Sequence, residues 1–283
     1  YNKADYIAET LKSVLNQTYC DYEVIVVNDS STDNSLEVAS SFQDERIHIY
    51  TKENEGVSAA RNYGIMHAKY DYIAFLDADD IWESDYLECQ KKLIGTYPDA
   101  GIYSTAFYSL EKGKRKLRNV LINEHIHFLV HDYFKESVMN GLSICWTSSL
   151  CLKKEVIKEI PMFRVGIKRG EDLDLWLRIA LNYDVAYLNL PKVFYRTGLS
   201  DSLTSDYSKN GEFPYYEWFN FTSESSYYRK YVILVVYIHA KNAFIHHDYD
   251  TCLAELWSVK TIAWRFKWAE RLLLLVISWI KSK

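Results

Sequence analysis

Residues that interrupt regular structure are scarce: 4 prolines and 10 glycines in 283 residues leave no room for a collagen-like repeat, a disordered domain or a low-complexity linker. The five cysteines (Cys20, Cys89, Cys145, Cys151, Cys252) are odd in number and contain no C-x-x-C pair. A disulfide framework and a cysteine-ligated zinc site are therefore not expected, and a reducing compartment fits best. Long apolar runs are missing as well. The longest, residues 272–280, is broken by Ser278 and is about half of what spans a bilayer. No basic triphosphate-binding loop stands near the start, and no internal repeat is visible. Hydrophobic residues, at 48%, are plentiful enough for one large core, so a single large domain or a domain with an appendage is expected.

The net charge of -5 hides an uneven distribution. Residues 226–283 hold 9 Lys/Arg against 4 Asp/Glu, which leaves 24 against 34 for residues 1–225. An acidic body argues against nucleic acid as a partner, and a basic tail suits an anionic membrane surface. In that tail Trp257, Trp264, Trp268, Leu275 and Trp279 fall along one helical line, surrounded by Lys260, Arg265, Lys267, Arg271, Lys281 and Lys283, with Glu270 opposing them. An interfacial helix follows, placing the protein in the cytoplasm and peripherally at the inner face of the membrane; packing of the stripe on the body is the alternative. The chain opens at Tyr1 and enters a helical pattern within three residues, as a fragment lacking its original N-terminus would.

Along the chain, Ile7, Leu11, Val14 and Leu15 stand at helical spacing, and residues 23–27 form a short β-branched run closed by Asn28-Asp29. A helix from Thr32-Asp33, a strand at 47–50, a helix at 56–68 and a strand at 72–76 follow. Such alternation implies right-handed crossovers and a mostly parallel sheet covered by helices on both faces, with the ligand crevice at the carboxyl ends of the strands. The pattern then loosens. Residues 101–108 read as a strand, 111–127 as a polar hairpin or loop, 131–140 as a short helix, 149–152 as a strand, 172–182 as a helix, and 185–188 and 193–196 as strands. A Ser- and Tyr-rich stretch between 200 and 226 separates this body, residues 1–204, from a helical region, residues 205–283.

Two acidic clusters close strands: Asp29, and the group Asp77, Asp79 and Asp80. An isolated Asp at a strand end is ordinary turn chemistry. Three carboxylates within four residues repel one another unless a cation neutralises them, and all-oxygen donors suit Mg²⁺ or Mn²⁺, ions that complete their shells with substrate phosphates. Arg61, in Ser58-Ala59-Ala60-Arg61-Asn62, lies on the helix before the 72–76 strand, where a solvated helix charge is the ordinary reading. Glu171, Asp172 and Asp174 stand at the start of the 172–182 helix, where acids cap free N–H groups and where a carboxylate is held in the fixed geometry that a general base needs. The strings His125, His127, His131 and His246-His247 have no accompanying acid or cysteine in a metal-binding pattern. Trp82 and Trp146 fit either the core or a substrate wall.

Taken in order, Tyr1-Asn2, Val27-Asn28-Asp29-Ser30-Ser31-Thr32-Asp33, Gly56-Val57-Ser58-Ala59-Ala60-Arg61-Asn62-Tyr63-Gly64, Phe75-Leu76-Asp77-Ala78-Asp79-Asp80 and the segment from Gly170 to Arg178 resemble a family 2 glycosyltransferase of the GT-A fold, of the kind that builds bacterial surface polysaccharide. The resemblance spans about residues 1–204. It implies a nucleotide-diphosphate donor, a UDP-sugar above others, bound by Tyr1, Asp29, Arg61, Asp77 and Asp79, with Asp77 and Asp79 as the D-x-D pair that holds the Mg²⁺ or Mn²⁺, Asp79 foremost in direct metal contact. Asp172 would be the catalytic base in an inverting transfer to a saccharide or lipid-linked acceptor. Two departures from the family pattern stand out: the strand expected before Tyr1 is absent, and Tyr195-Arg196 is followed by Thr197-Gly198 rather than by a histidine. A nucleotidyltransferase on a related sheet and a non-catalytic nucleotide-sugar-binding module are the competing readings.

Overall fold

The computed structural model describes residues 1–121, 123–141, 143–167, 169–199, 215–218 and 222–255. The Trp stripe of the tail, and most of the stretch expected to separate body from tail, lie outside the described residues. Helix α1 (Ile7–Leu15) buries Ile7, Leu11 and Val14, as its spacing predicts. Strand β1 (Val24–Asn28) pairs in parallel with β2 (Ile47–Thr51), and the connection between them carries α2 (Ser35–Ser40). The two faces of β1 are covered by different helices. Val24 and Val26 join Ile7, Leu11 and Ala39 of α1 and α2, while Ile25 and Val27 lie against Gly64 of α3 (Val57–His67).

A second sheet begins with β3 (Tyr72–Ala74). It continues through β8 (Leu150–Lys153), β5 (Ile102–Glu111), β9 (Val185–Arg196) and β4 (Ile81–Trp82), with β6 (Lys114–Arg118) on β5 and β7 (His127–Val130) on β9. The long pair β5 and β9 is parallel and runs in the same direction as β3. The antiparallel members β4, β6, β7 and β8 have two to five residues each, and all but β4 occupy the part of the sequence where the strand-helix alternation loosens. One strand, β9, replaces the two expected at 185–188 and 193–196. Its register shifts beside Pro191, which cannot donate to the ladder.

Alternation along these strands divides the core. Tyr103, Cys151, Ala186 and Leu188 face Leu93 of α4 (Tyr86–Thr96). Ile102, Leu150, Leu152, Val185 and Tyr187 face α5 (Tyr133–Asn140), α6 (Lys154–Glu159), α7 (Glu171–Ala180) and α9 (Tyr228–Ile245). Helix α9 belongs to this same core: its Tyr231 hydroxyl lies 2.9 Å from that of Tyr133.

A buried ionic knot ties α7 to its neighbours. Asp174 is fully buried and accepts hydrogen bonds from Arg178 Nε at 2.9 Å and from the indole N–H of Trp218, in the helical turn α8 (Tyr215–Trp218), at 2.8 Å. Arg164 Nε approaches the same carboxylate at 3.5 Å. Replacing Asp174 with Ala leaves the Arg178 charge buried without its partner. A loss of about 3–5 kcal/mol is expected in urea unfolding, and an effect below about 1 kcal/mol would contradict a structural role.

Candidate active site

The acidic loop after β3 is shaped by polar contacts that have no counterpart in local sequence pattern. Asp80 is fully buried; its carboxylate accepts from Ser148 Oγ at 2.5 Å and from the Arg196 N–H at 3.0 Å. Burial, then repulsion from Asp77 and Asp79, pushes its pKa well above the usual carboxylate range. Ser148 Oγ also accepts from the Asp77 N–H at 3.1 Å, and Thr10 Oγ1 donates to the Ala78 and Asp80 carbonyls. The loop is thereby pinned to α1, to the segment preceding β8 and to the end of β9. Asp80, which the sequence grouped with its neighbours, is a structural pin, whereas Asp77 and Asp79 remain in contact with charged side chains at the surface of the site.

Each of those two meets a cation. Asp79 Oδ2 lies 3.0 Å from Lys3 Nζ, and Asp77 Oδ1 lies 2.8 Å from Arg61 Nη2. The other arm of the Arg61 guanidinium, Nη1, donates to Glu171 Oε1 at 2.8 Å, so one side chain on α3 joins the acidic loop to the start of α7. The guanidinium also lies over the Phe163 ring, 5.3 Å from its centroid. Burial alone would lower its pKa, yet Asp77, Glu171 and Asp172 together raise it.

Glu171 shows the opposite balance. Burial and the neighbouring Asp172 outweigh Arg61, and its pKa is pushed up to about 7. Asp172 itself accepts from Thr147 Oγ1 at 3.0 Å and from the Leu173 N–H at 2.7 Å, which fixes its carboxyl at the helix start. Tyr195 feels the whole cluster: its pKa is raised first by burial and then by Asp80, Asp77, Asp79 and Asp172. Trp146 meets Tyr195 edge-on at 4.8 Å and stacks on Phe107 at 5.4 Å, so it walls the site, whereas Trp82 is core, stacked on Tyr86 at 4.2 Å.

Asp29 is placed differently. The residue is 4% exposed, and its carboxylate accepts from Lys52 Nζ at 3.0 Å, the Glu55 N–H at 3.1 Å and the Gly56 N–H at 2.8 Å. Gly56 has φ +90, which a side chain would strain, and it lets the chain turn directly into α3. Tyr1 is 55% exposed. The next residue bridges to the Asp29 loop, since the Asn2 N–H donates to Ser31 Oγ at 3.1 Å and Asn2 Oδ1 accepts from the Thr32 N–H at 2.8 Å, while Lys3 reaches Asp79. Arg61, Asp77, Glu171 and Asp172 are thus one charged cluster, joined to Asp79 through the loop, and Asp29 organises the adjoining wall. Of the histidines, His127 lies beside Tyr97 and His131 beside Asp184, away from these acids.

Among the described residues no group of three or more His, Cys, Asp or Glu side chains is arranged to hold a metal ion. Mg²⁺ and Mn²⁺ do not require one, since one or two carboxylates and the phosphates of a ligand complete their shell. Asp79 and Asp77 supply hard oxygen donors of that kind, and the cations beside them show that the loop needs positive charge.

Residues 1–160 match the family model described as glycosyl transferase family 2. The chain belongs to glycosyltransferase family 2. Over 190 residues, 66% of this chain and 71% of the relative, it is 32% identical to TuaG of Bacillus subtilis, a glycosyltransferase assigned to teichuronic acid biosynthesis. It is also 32% identical over 206 residues to the glycosyltransferase GlyA of Streptococcus pneumoniae, covering 69% of this chain but 29% of that longer protein. Among solved structures, residues 1–349 of Staphylococcus aureus TarS with UDP-GlcNAc superimpose with a TM-score of 0.71 at 17% identity, over 90% of this chain and 77% of that one. The Pyrobaculum calidifontis mannosyltransferase PcManGT, bound to GDP-Man and Mn²⁺, gives a TM-score of 0.59 at 18% identity, over 97% and 78%. The family 2 enzyme described here therefore has the GT-A fold, as its ordered motifs implied. Among the described residues, no helix is long and apolar enough to cross a membrane.

Sequence reasoning missed the cation partners. Lys3, the partner of Asp79, carries no local signal, and Glu171, the second partner of Arg61, was absorbed into the capping of α7 although it stands next to the proposed base. Because the folded protein holds the Glu171 proton more tightly than the unfolded chain does, this group stabilises the fold fully below about pH 4.5, the ordinary glutamate value, and the contribution is lost as pH rises through about 7. Relative to Glu171→Gln, the wild-type protein should lose stability between pH 5 and 8, by about 3 kcal/mol at most. Parallel melting curves for the two proteins across that range would refute the assignment.

Proposed function

We propose that this enzyme transfers a sugar from a nucleotide-diphosphate donor, a UDP-sugar, to a hydroxyl of a saccharide or lipid-linked acceptor in surface polysaccharide synthesis, inverting the anomeric carbon. The observation that carries the reading is the Arg61 bridge, which holds Asp77 of the D-x-D loop and Glu171 of the base-bearing helix on one guanidinium. Donor and acceptor chemistry must occur within a few ångströms of each other, and this is the contact that couples their two loops. The UDP-GlcNAc of TarS and the GDP-Man and Mn²⁺ of PcManGT support the donor class and the metal.

In the proposed reaction Asp172 accepts the proton of the acceptor hydroxyl while that oxygen bonds to the anomeric carbon, and the bond from that carbon to the diphosphate oxygen breaks. The nucleoside diphosphate leaves with the electron pair. Thr147 and the Leu173 N–H orient the Asp172 carboxyl for this role. Arg61 supplies fixed positive charge beside the loop where the diphosphate would lie, and Lys3 does so at Asp79. A divalent ion held by Asp79 and Asp77 would add charge stabilisation for the leaving group. Asp29 holds the loop from Lys52 to Gly56, which would border the base and ribose of the donor, and Tyr1 would stand at the opening of that side. A cytoplasmic setting, peripheral at the inner face of the membrane, rests on the cysteine usage and the basic tail of the sequence.

Asp172→Asn keeps the shape and the hydrogen bond from Thr147 but removes basicity. It should lower kcat by about 10²-fold or more while UDP affinity, read by calorimetry, stays within about threefold. Activity close to wild type would remove Asp172 from the mechanism. For Asp79→Ala, calorimetry with UDP should show the gain in affinity conferred by Mn²⁺ lost, and a gain equal to that of wild type would mean that another group holds the ion.

A further inference from the structure

The hairpin of β5 and β6 carries charge that the sugar-transfer step itself does not use. Residues 112–118 read Lys-Gly-Lys-Arg-Lys-Leu-Arg, five cations in seven residues, within a body whose acids outnumber its bases. All five residues of β6 are exposed. Its register places Lys114 opposite Glu111, Lys116 opposite Ser109 and Arg118 opposite Phe107. Because side chains alternate along a strand, Lys114, Lys116 and Arg118 share the face that carries Ser109 and Phe107. Across β5 that face continues to Tyr195, the register partner of Ser109 on β9.

Three kinds of surface therefore follow one another along one face: the acids at the ends of β3 and α7, then the aromatic group Trp146, Tyr195 and Phe107, then a row of cations. Trp146 and Tyr195 are half-buried, and a saccharide ring can lie against such side chains while its hydroxyls remain solvated. Among the described residues Lys112, Lys114, Lys116 and Arg118 enter no ion pair. By contrast Lys92 is paired with Glu88, Lys153 with Glu155 and Lys192 with Asp85. Arg118 Nε donates to Ser109 Oγ at 3.2 Å, which holds it over the β5 side of the row. Glu111, the one acid on this face of the hairpin, leans toward Gly198. Arg115 turns to the opposite face, over the Phe194 ring at 4.6 Å.

Lysines on an edge strand also discourage strand addition by other chains, and that alone would explain one or two of them. It does not explain a one-sign row that runs toward the site in an acidic protein. The field of the body repels an anion, so a local row of unpaired cations is what an anionic chain would need in order to approach the acids at all. The hairpin tip, Lys112-Gly113, presents no apolar side chain for insertion into a bilayer.

We propose that Lys114, Lys116 and Arg118 form the acceptor-side rim of this site and that the acceptor is a saccharide chain bearing repeated anionic groups, phosphate or carboxylate. The assignment rests on the glycosyltransferase reading above. The test uses the full chain with short inorganic polyphosphate as the anionic probe, neutral dextran as its uncharged counterpart, and phosphatidylglycerol vesicles in a parallel sedimentation arm. Wild-type protein should bind polyphosphate and not dextran, with affinity falling as salt rises. Lys114→Gln/Lys116→Gln/Arg118→Gln should weaken that binding about tenfold or more, and Lys114→Arg/Lys116→Arg should preserve it. Equal polyphosphate affinity in wild type and the triple Gln variant overturns the proposal. Vesicle binding lost in the triple variant with polyphosphate binding unchanged also overturns it, by assigning the row to a bilayer. A UDP titration of the wild-type protein separates the two levels: failure to bind UDP overturns the enzyme reading and the acceptor assignment with it, whereas UDP binding with an unresponsive hairpin overturns the acceptor assignment alone.

Discussion

A largely buried guanidinium with two carboxylate partners is the constraint around which the site is arranged. Arg61 cannot shed its charge, so its burial is tolerable only while Asp77 and Glu171 both remain within hydrogen-bond distance. Those partners come from a strand end and a helix start separated by almost a hundred residues in sequence. The charge thus fixes the distance between them, and with it the distance between the D-x-D loop and Asp172. Burial also sets the unequal response of the partners: Arg61 is held more firmly charged, while Glu171 is brought near neutrality.

The acidic loop solves a related problem. Four consecutive positions with three carboxylates would spread apart if each sought water. Here one of them, Asp80, is withdrawn into the protein and satisfied by Ser148 and the Arg196 N–H. With that pin in place, Asp77 and Asp79 stay close together and concentrate negative charge on the ligand side. Lys3 and Arg61 partly balance it, and the remainder is what a divalent ion would meet. The same logic extends outward. Acids at the centre, aromatic walls beside them and unpaired cations on the β5–β6 hairpin make a gradient of charge along one face of the sheet.

Much of the body could be read from periodicity. The helices α1, α3 and α7 and the strands β1, β2 and β3 lie where the sequence pattern put them: α1 and α7 bury apolar stripes at helical spacing, and the strands are short apolar runs that end at turn residues or acids. The later elements were harder. Strand β7 and helix α6 are short, and β9 continues through Pro191 where two strands were expected, because pairing on both sides holds its backbone extended across the irregular register. The hairpin at β6 shows no apolar alternation, as all its residues face water.

For the site, the sequence alone determined the candidates: Asp29, Arg61, Asp77, Asp79 and Asp172 occupy motifs whose order is a property of the chain. It also determined the family, which depends on those ordered motifs. Tertiary structure decided how the charges are distributed among them. That Asp80 is a pin, that Arg61 spans two acids, that Glu171 is raised while bonded to a cation, and that the β6 cations share the face of Tyr195 all follow from which strands lie side by side. Electrostatic energy depends on distance and burial through space. A sequence specifies which charges exist, and only the fold sets how far apart they stand and how much water lies between them.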